Sequence, residues 1–308
     1  MDKNLKQLFE EYITECRVAR GLRPQTITGY DAVFSHFSAM MPEVIFVGSL
    51  TREAMIKFFE RIKDRKRMVG KDTIPTVGLK DSTIKTYGNK LNAFFVWLIQ
   101  KDIMVKNPLD NIKLKFPQYN DPRALKEEDV DKIISAVSSH STDPFMLKRD
   151  MMMLYVLLFC GLRAGEFIAL RMEDIDMNRK VLTVRAETSK SKRSRTMPIH
   201  PTLLIYLQEY IEERNKFDYK TEYLIVSSTQ DKGLTCHGLK HWVKRLIELS
   251  GVRLHLHRFR HTYACNLHKK VVPIVAIRDL MGHRSAKMTE VYLRSMQCED
   301  FRKYVNML

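Results

Sequence analysis

The chain has 308 residues, 44% of them hydrophobic, and carries 52 Lys and Arg against 36 Asp and Glu, a formal net charge of +16. That length suits two domains with real cores and excludes a disordered chain. The positive excess points to a polyanionic partner, and to nucleic acid ahead of a membrane, because no apolar run approaches the roughly 18 residues of a spanning helix.

The opening segment MDKNLKQLFEEY lacks the apolar core of a signal peptide. The best candidate for a membrane segment, MMMLYVLLFCGL at 151–162, is too short and runs into RAGE. A cytoplasmic, nucleoid-associated chain is expected. Cys16, Cys160, Cys236, Cys265 and Cys298 are scattered, with no C-x-x-C pair. They read as reduced, mostly buried thiols rather than a disulfide framework or zinc ribbon.

The first hundred residues read as four helices. NLKQLFEEYITECRVA has apolar residues at helical spacing, GLRP breaks it, and QTITGYDAVFSHFSAM starts again. TREAMIKFFERIKDRKR is the third, and DSTIKTYGNKLNAFFVWLIQ the fourth, with Asp81 or Ser82 as its N-cap. Thr26, Ile27 and Tyr30 in the second helix echo Thr83, Ile84 and Tyr87 in the fourth, and Phe34 and Phe37 echo Leu91 and Phe94. Two helices burying similar stripes in one bundle account for the echo. KDRKRMVGKDTIPTVGLKD, between the third and fourth helices, is basic and rich in turn residues and reads as an exposed loop. A proline-bearing stretch at 106–130, with Pro108, Pro117 and Pro122, reads as a linker.

Helical patterning resumes at KEEDVDKIISAV and runs through FMLKRDMMMLYVLLFCGL. KVLTVRAETSKSKRSRTMPI then alternates β-branched and polar residues on both sides of a basic turn, the pattern of a β-hairpin. EYLIV is a candidate extra strand. HGLKHWVKRLIELS, HRFRHTYACNLHKK, VPIVAIRDLMG and SAKMTEVYLR are helical, and MQCEDFRKYVNML closes the chain.

The densest chemistry is in LHLHRFRHTYAC, where His255, His257 and His261 alternate with Arg258 and Arg260. On a helix His257, Arg260 and His261 share a face. A metal site would want a carboxylate or thiolate nearby, whereas the segment offers arginines that repel a cation. An anion-handling site fits better. FCGLRAGEFIAL places Arg163 at a helix start with Glu166 three residues on. A lone arginine there is ordinarily surface charge, but this one follows an apolar helix and a glycine. The planar guanidinium matches two phosphate oxygens and never loses its charge. Near the end, LMGHRSAKMTEVYLR carries His283 and then Tyr292.

Together these residues fill every role in phosphoryl transfer to tyrosine. A tyrosine hydroxyl, with a pKa near 10, is a poor nucleophile at neutral pH and needs a base. A histidine can accept its proton, two arginines can stabilise the charge that builds on the non-bridging oxygens, and a hairpin lysine can protonate the leaving 5′ oxygen.

In order, CGLRAGE, HRFRH, LMGH and VYLR resemble the motifs of the tyrosine recombinases, the phage-integrase and Xer-like enzymes, over nearly the whole chain. Each motif is weak alone, but the ordered set is specific. The resemblance implies a mainly α fold with a small β-sheet: a helical core-type DNA-binding domain at 1–115, a linker at 116–122, and an α+β catalytic domain at 123–308 that ends in a C-terminal tail. The two domains would close on duplex DNA as a C. Arg163 and Arg260 would clamp the scissile phosphate, His257 would act as acid–base or hydrogen-bond partner, and His283 would hydrogen-bond the phosphate. Tyr292 would form a 3′-phosphotyrosyl bond, with Glu166 supporting the site. The family's lysine lies in a glycine-rich hairpin turn. ETSKSKRSRTMPI has no glycine there; aligning RTMPI with the closing strand picks Lys190, and Lys192 is the alternative, two residues on and able to share a strand face.

The resemblance further implies a double-stranded DNA partner with inverted-repeat half-sites, no cofactor, no metal, and no ATP, since the phosphotyrosine keeps the energy of the broken bond. No arm-binding domain precedes the first helix, which favours a simple Xer-like or transposon-type enzyme. The tail after Tyr292 would dock into a neighbour, giving a homo-tetramer on two DNA sites, with any accessory protein unknown. Three rivals remain: a type IB topoisomerase, a DNA-binding regulator with a decayed active site, and a basic helical RNA-binding protein.

Overall fold

The computed structural model describes residues 4–69, 74–114, 124–141 and 143–293, with backbone only at 66–69, 74–77, 287 and 291–293. The chain divides into two compact units, residues 1–118 and 119–308. The linker expected at 116–122 lies outside the described residues.

The first unit holds α1 (Leu5–Val18), α2 (Pro24–Met40), α3 (Arg52–Asp64) and α4 (Asp81–Gln100). Asn4 caps α1 by accepting from the backbone of Lys6, and Thr51 caps α3 through Ala54. Pro24 opens α2, where its missing N–H costs nothing. The fourth helix starts at Asp81, so neither Asp81 nor Ser82 is its cap; Lys80 is, without a side-chain bond. Ile27 and Ile84, Phe34 and Leu91, and Phe37 and Phe94 are all buried in one core, so the sequence echo reflects two helices facing it. Phe9 stacks on Phe34 at 3.8 Å between ring centres and meets Phe94 edge-on at 5.2 Å.

The segment read as an exposed loop between α3 and α4 is instead an antiparallel ribbon. β1 (Lys66–Val69) pairs with β2 (Ile74–Val77), and the ribbon's tip lies outside the described residues. Val69, Ile74, Thr76 and Val77 flank GKDT, and these β-branched residues favour extended pairing over a coil. The basic run KDRKR obscured them.

The second unit is mainly helical. α5 (Glu127–His140) precedes α6 (Pro144–Cys160), and the short α7 (Ala164–Ile168) leads into a three-stranded antiparallel sheet of β3 (Ile175–Asp176), β4 (Val181–Val184) and β5 (Arg195–Pro198). α8 (Pro201–Arg214), α9 (Cys236–Ser250), α10 (Leu256–Lys269), α11 (Ile274–Met281) and α12 (Ala286–Leu293) follow. Met152, Met153, Leu154, Val156 and Leu157 put apolar groups on every side of α6, which packs against α5, α8 and α10 as the unit's central helix. Leu224, Ile225 and Val226 of EYLIV are fully buried, but the segment makes only isolated bridges, Arg171 with Tyr223 and Val226 with Gly233, and joins no sheet. Among the described residues no helix is long and apolar enough to cross a membrane.

α6 ends at Gly161, whose φ of +54° is the left-handed conformation that stops a helix. The ring of Tyr263 in α10 lies across this glycine so closely that an added Cβ would meet it at 2.4 Å. Gly161→Ala combines left-handed strain with this overlap and is expected to destabilise the chain by about 2–4 kcal/mol. Thermal melting checks it: an unchanged Tm would mean that α6 and α10 do not depend on this close approach.

Candidate active site

The site forms where three separate segments meet at the C-terminal end of α11. The last carbonyls of a helix have no partner within it and carry its partial negative charge. Here three successive ones each receive an arginine. Leu280 O accepts from Arg195 Nε at 3.0 Å, Met281 O from Arg260 Nη2, and Gly282 O from Arg163 Nη2 at 3.5 Å. Gly282, at φ +61°, turns the chain out of the helix and delivers His283 to the same place.

Each arginine arrives from its own element. Arg163 caps α7, in the extended conformation that an N-cap requires. Glu166, one turn into α7, accepts the Arg163 backbone N–H at 3.1 Å and its Nη1 at 2.8 Å. Arg260 lies on α10, and its Nη1 donates to Gly161 O at 2.6 Å, so the glycine that ends α6 also holds this side chain. Arg195 opens β5. Its Nη2 donates to Glu166 Oε2 at 2.7 Å and its Nη1 to Oε1 at 3.3 Å, a two-pronged pairing.

Burial makes these contacts strong and costly to break. Arg260 is fully buried, and Glu166 is 1% exposed. Burial pushes the Glu166 carboxyl up, but the hydrogen bond and charge of Arg195 and the bonds from Arg163 outweigh it and hold the group at about 2. Two of the three guanidiniums, those of Arg163 and Arg195, pair with this one carboxylate, so the pocket keeps a positive excess.

His283 is pushed down to about 3, first by burial and then by Arg260, Arg163 and Arg195, so it is neutral at pH 7. Its Nε2 is 2.9 Å from Arg260 Nη2, and its Nδ1 is 2.9 Å from Thr289 Oγ1. A guanidinium only donates, so Nε2 is the acceptor, and the ring proton sits on Nδ1 and points at Thr289. Thr289 is itself fully buried on α12.

Of the residues singled out in the sequence, the structure gathers Arg163, Glu166, Arg260 and His283. His257 is one turn before Arg260 on α10 and is exposed; its ring meets that of His261 edge-on at 6.0 Å. His257 and His261 thus lie on one side of α10 but differ in burial, with Arg260 and His261 buried and His257 exposed. Lys190 and Lys192 are both exposed in the turn at 185–194, and neither lies on a strand. Lys192 takes φ +55°, so the expectation that the two lysines share a strand face fails because the turn ends the pleat between them. Tyr292 is in the last turn of α12, and its side chain lies outside the described residues, as do Cys298 and the tail at 294–308.

The sequence reading missed Arg195, which it placed among the charges of a basic turn. A signal was present. Arg195 and Met197 are two apart on a strand, so they share a face, and Met197 is in the core. An arginine on an inward face needs a buried carboxylate, and Glu166 is that carboxylate.

Residues 123–298 match the phage integrase family. The chain belongs to the phage integrase family. The resemblance to tyrosine recombinases carried by CGLRAGE, HRFRH, LMGH and VYLR is borne out, and site-specific DNA recombination is the reaction class. The tyrosine recombinase XerC of Psychromonas ingrahamii is 26% identical over 290 residues, covering 94% of this chain and 91% of that one. The tyrosine recombinase XerA of Thermococcus kodakarensis is 31% identical over 185 residues, covering 59% and 61%. The fold is that of the Tn1549 transposon integrase, solved in complex with a circular intermediate DNA (TM-score 0.75, 19% identity, 98% of this chain and 99% of that one). The mainly α architecture with a small sheet is thus the integrase fold.

Both buried groups with lowered pKa values link stability to pH. In each case the unfolded chain binds a proton that the folded chain does not, so stability is complete above the unfolded value and falls as pH falls. For His283 that window runs from an unfolded value of about 6.5 down to a folded value of about 3. Urea melts between pH 7 and pH 4.5 are expected to show declining stability, with a shallower decline in His283→Gln. Equal slopes would show that the ring is not held neutral.

Proposed function

We propose that this chain cleaves and rejoins DNA strands at specific sites through a 3′-phosphotyrosyl intermediate at Tyr292, exchanging strands between two sites through a Holliday junction. The observation that carries this reading is the convergence of Arg163, Arg260 and His283 on the end of α11, with the tyrosine on the helix that follows directly. Double-stranded DNA with inverted-repeat half-sites is the partner, and the cytoplasm, with its nucleoid, is where the enzyme acts. The relatives named above are recombinases, which favours this reading over a type IB topoisomerase. A decayed regulator would lack one of the required residue types, and all are present.

In the cleavage step the Tyr292 oxygen attacks phosphorus, a new O–P bond forms, and the bond to the 5′ oxygen breaks. His257, exposed one turn before Arg260, accepts the phenolic proton. Lys190, in the hairpin turn, donates a proton to the leaving 5′ oxygen. Arg163 and Arg260 balance the charge on the non-bridging oxygens. Glu166 touches no phosphate and fixes Arg163. In the free chain Arg260 is fully covered and both ring nitrogens of His283 are engaged. DNA binding therefore has to uncover Arg260, and His283 reaches the phosphate by releasing Thr289. Rejoining reverses these steps with a 5′ hydroxyl as nucleophile, so no ATP or other cofactor is required. The arginines supply the charge that a metal provides elsewhere.

Wild-type protein incubated with a nicked duplex carrying its site, in excess chelator, is expected to give a covalent protein–DNA band, and Tyr292→Phe none. A band in the variant would mean a different nucleophile, and its loss on chelation would sink the metal-free mechanism. The tail at 294–308 is assigned to docking on a neighbour in a homo-tetramer on two DNA sites. Its removal is expected to leave DNA-bound species no larger than dimers by sedimentation, and a truncated chain that still forms tetramers would end that assignment.

A further inference from the structure

The recombinase reading requires the hairpin turn at 185–194 to bring a lysine to the leaving oxygen while Arg163 holds the phosphate. The turn has no glycine and presents Lys190 and Lys192 to solvent around a fully buried Ser189. Ser189 N donates to Arg185 O and Lys192 N to Ser189 O, each at 3.2 Å. Those bonds, with the Ser189 Oγ–Ser191 Oγ contact at 2.8 Å, shape the turn from within.

Its two feet are fixed by arginines. Where the turn leaves β4, Arg185 donates through Nη2 to Ala169 O at 2.8 Å, just past the end of α7. Where it enters β5, Arg195 grips both carboxylate oxygens of Glu166 inside α7. Both feet therefore touch the short helix that Arg163 caps, and Arg185 also pairs with Glu173 and Asp174 at 3.1 and 3.5 Å. Arg195 adds a second anchor, its Nε bond to Leu280 O, and so joins the hairpin to the end of α11 beside His283. Its guanidinium lies so close to Gly282 that an added Cβ there would come within 2.8 Å of Nη1. The glycine of LMGH thus leaves space for Arg195 as well as turning the chain.

We infer that Arg195 is a positioning residue for cleavage: by locking the root of the lysine-bearing turn to Glu166 and to the end of α11, it keeps the lysine in step with Arg163. This rests on the recombinase reading above. Arg195 does not donate the proton. It sets where the donor stands when the P–O5′ bond breaks.

The chemistry offers a test that separates positioning from simple loss of structure. A leaving alkoxide needs a proton, whereas a leaving thiolate does not, because a thiol is acidic near pH 8.5. The purified full chain would first select its site from random-sequence duplex. Nicked duplexes bearing that site would then be made with the normal 5′ oxygen or with sulfur in its place. Arg195→Ala is expected to slow cleavage of the oxygen substrate by about 100-fold, the scale of a lost general acid. On the sulfur substrate it should stay within about 3-fold of wild type, the pattern also expected when both turn lysines are removed (Lys190→Ala with Lys192→Ala). DNA affinity should be nearly unchanged.

Thermal melting would establish that the variant is folded at the assay temperature. If it is not, Arg195→Lys makes the same comparison, since it keeps a cation near Glu166 but loses the fork and the Leu280 bond. Equal slowing on both substrates, or no slowing on either, overturns the positioning role. Failure of wild-type protein to form a Tyr292-dependent adduct would instead overturn the recombinase reading beneath it.

Discussion

Three consecutive carbonyls at the end of α11 organise this catalytic unit. A helix that ends inside a protein must find donors for its last carbonyls, and it presents partial negative charge there. Leu280, Met281 and Gly282 meet that requirement with Arg195, Arg260 and Arg163, from a strand and from the starts of two helices. The same bonds that complete α11 therefore assemble the cations on which the proposed phosphoryl transfer relies. Stability and preorganisation come from one set of contacts, so the arginines do not have to be gathered at the moment of reaction.

Concentrating cations in a buried pocket is unfavourable unless something offsets their repulsion. Glu166 does so for Arg163 and Arg195, and its low pKa keeps it charged under any physiological condition. His283 contributes by staying neutral, since a fourth positive charge beside Arg260 would be strongly disfavoured. Removing one member of such a network leaves the others buried and unpaired, which costs about 3–5 kcal/mol. Glu166 is then as necessary to the site as the arginines, although nothing about it is suited to touching DNA.

The glycines of CGLR and LMGH belong to the same arrangement. Gly161 ends α6, offers its carbonyl to Arg260 and lies under Tyr263. Gly282 ends α11, offers its carbonyl to Arg163 and lies against Arg195. Each places a left-handed turn where a side chain from elsewhere must come close, and only a residue without a Cβ fits both demands.

Much of this was legible in the amino-acid sequence. Apolar periodicity located α1, α2, α4, α6 and α9 to α11 closely, because those helices bury a stripe or a whole surface. The ordered motifs pointed to Arg163, Glu166, Arg260 and His283, which the structure brings together at the end of α11. The ribbon at 66–77 was hidden by its charges, and Arg195 by its place in a basic run. What the sequence could not supply was which partner each charge would take. Arg163 and Gly282 are 119 residues apart, Arg260 and Gly161 are 99 apart, and Arg195 and Leu280 are 85 apart. Local propensity carries no information over such separations. The sequence by itself determined the elements and the chemical groups; only the tertiary packing of α7, β5 and α10 around the end of α11 decided that those groups form one site, because long-range contacts depend on how the helices and the hairpin bury their apolar faces together.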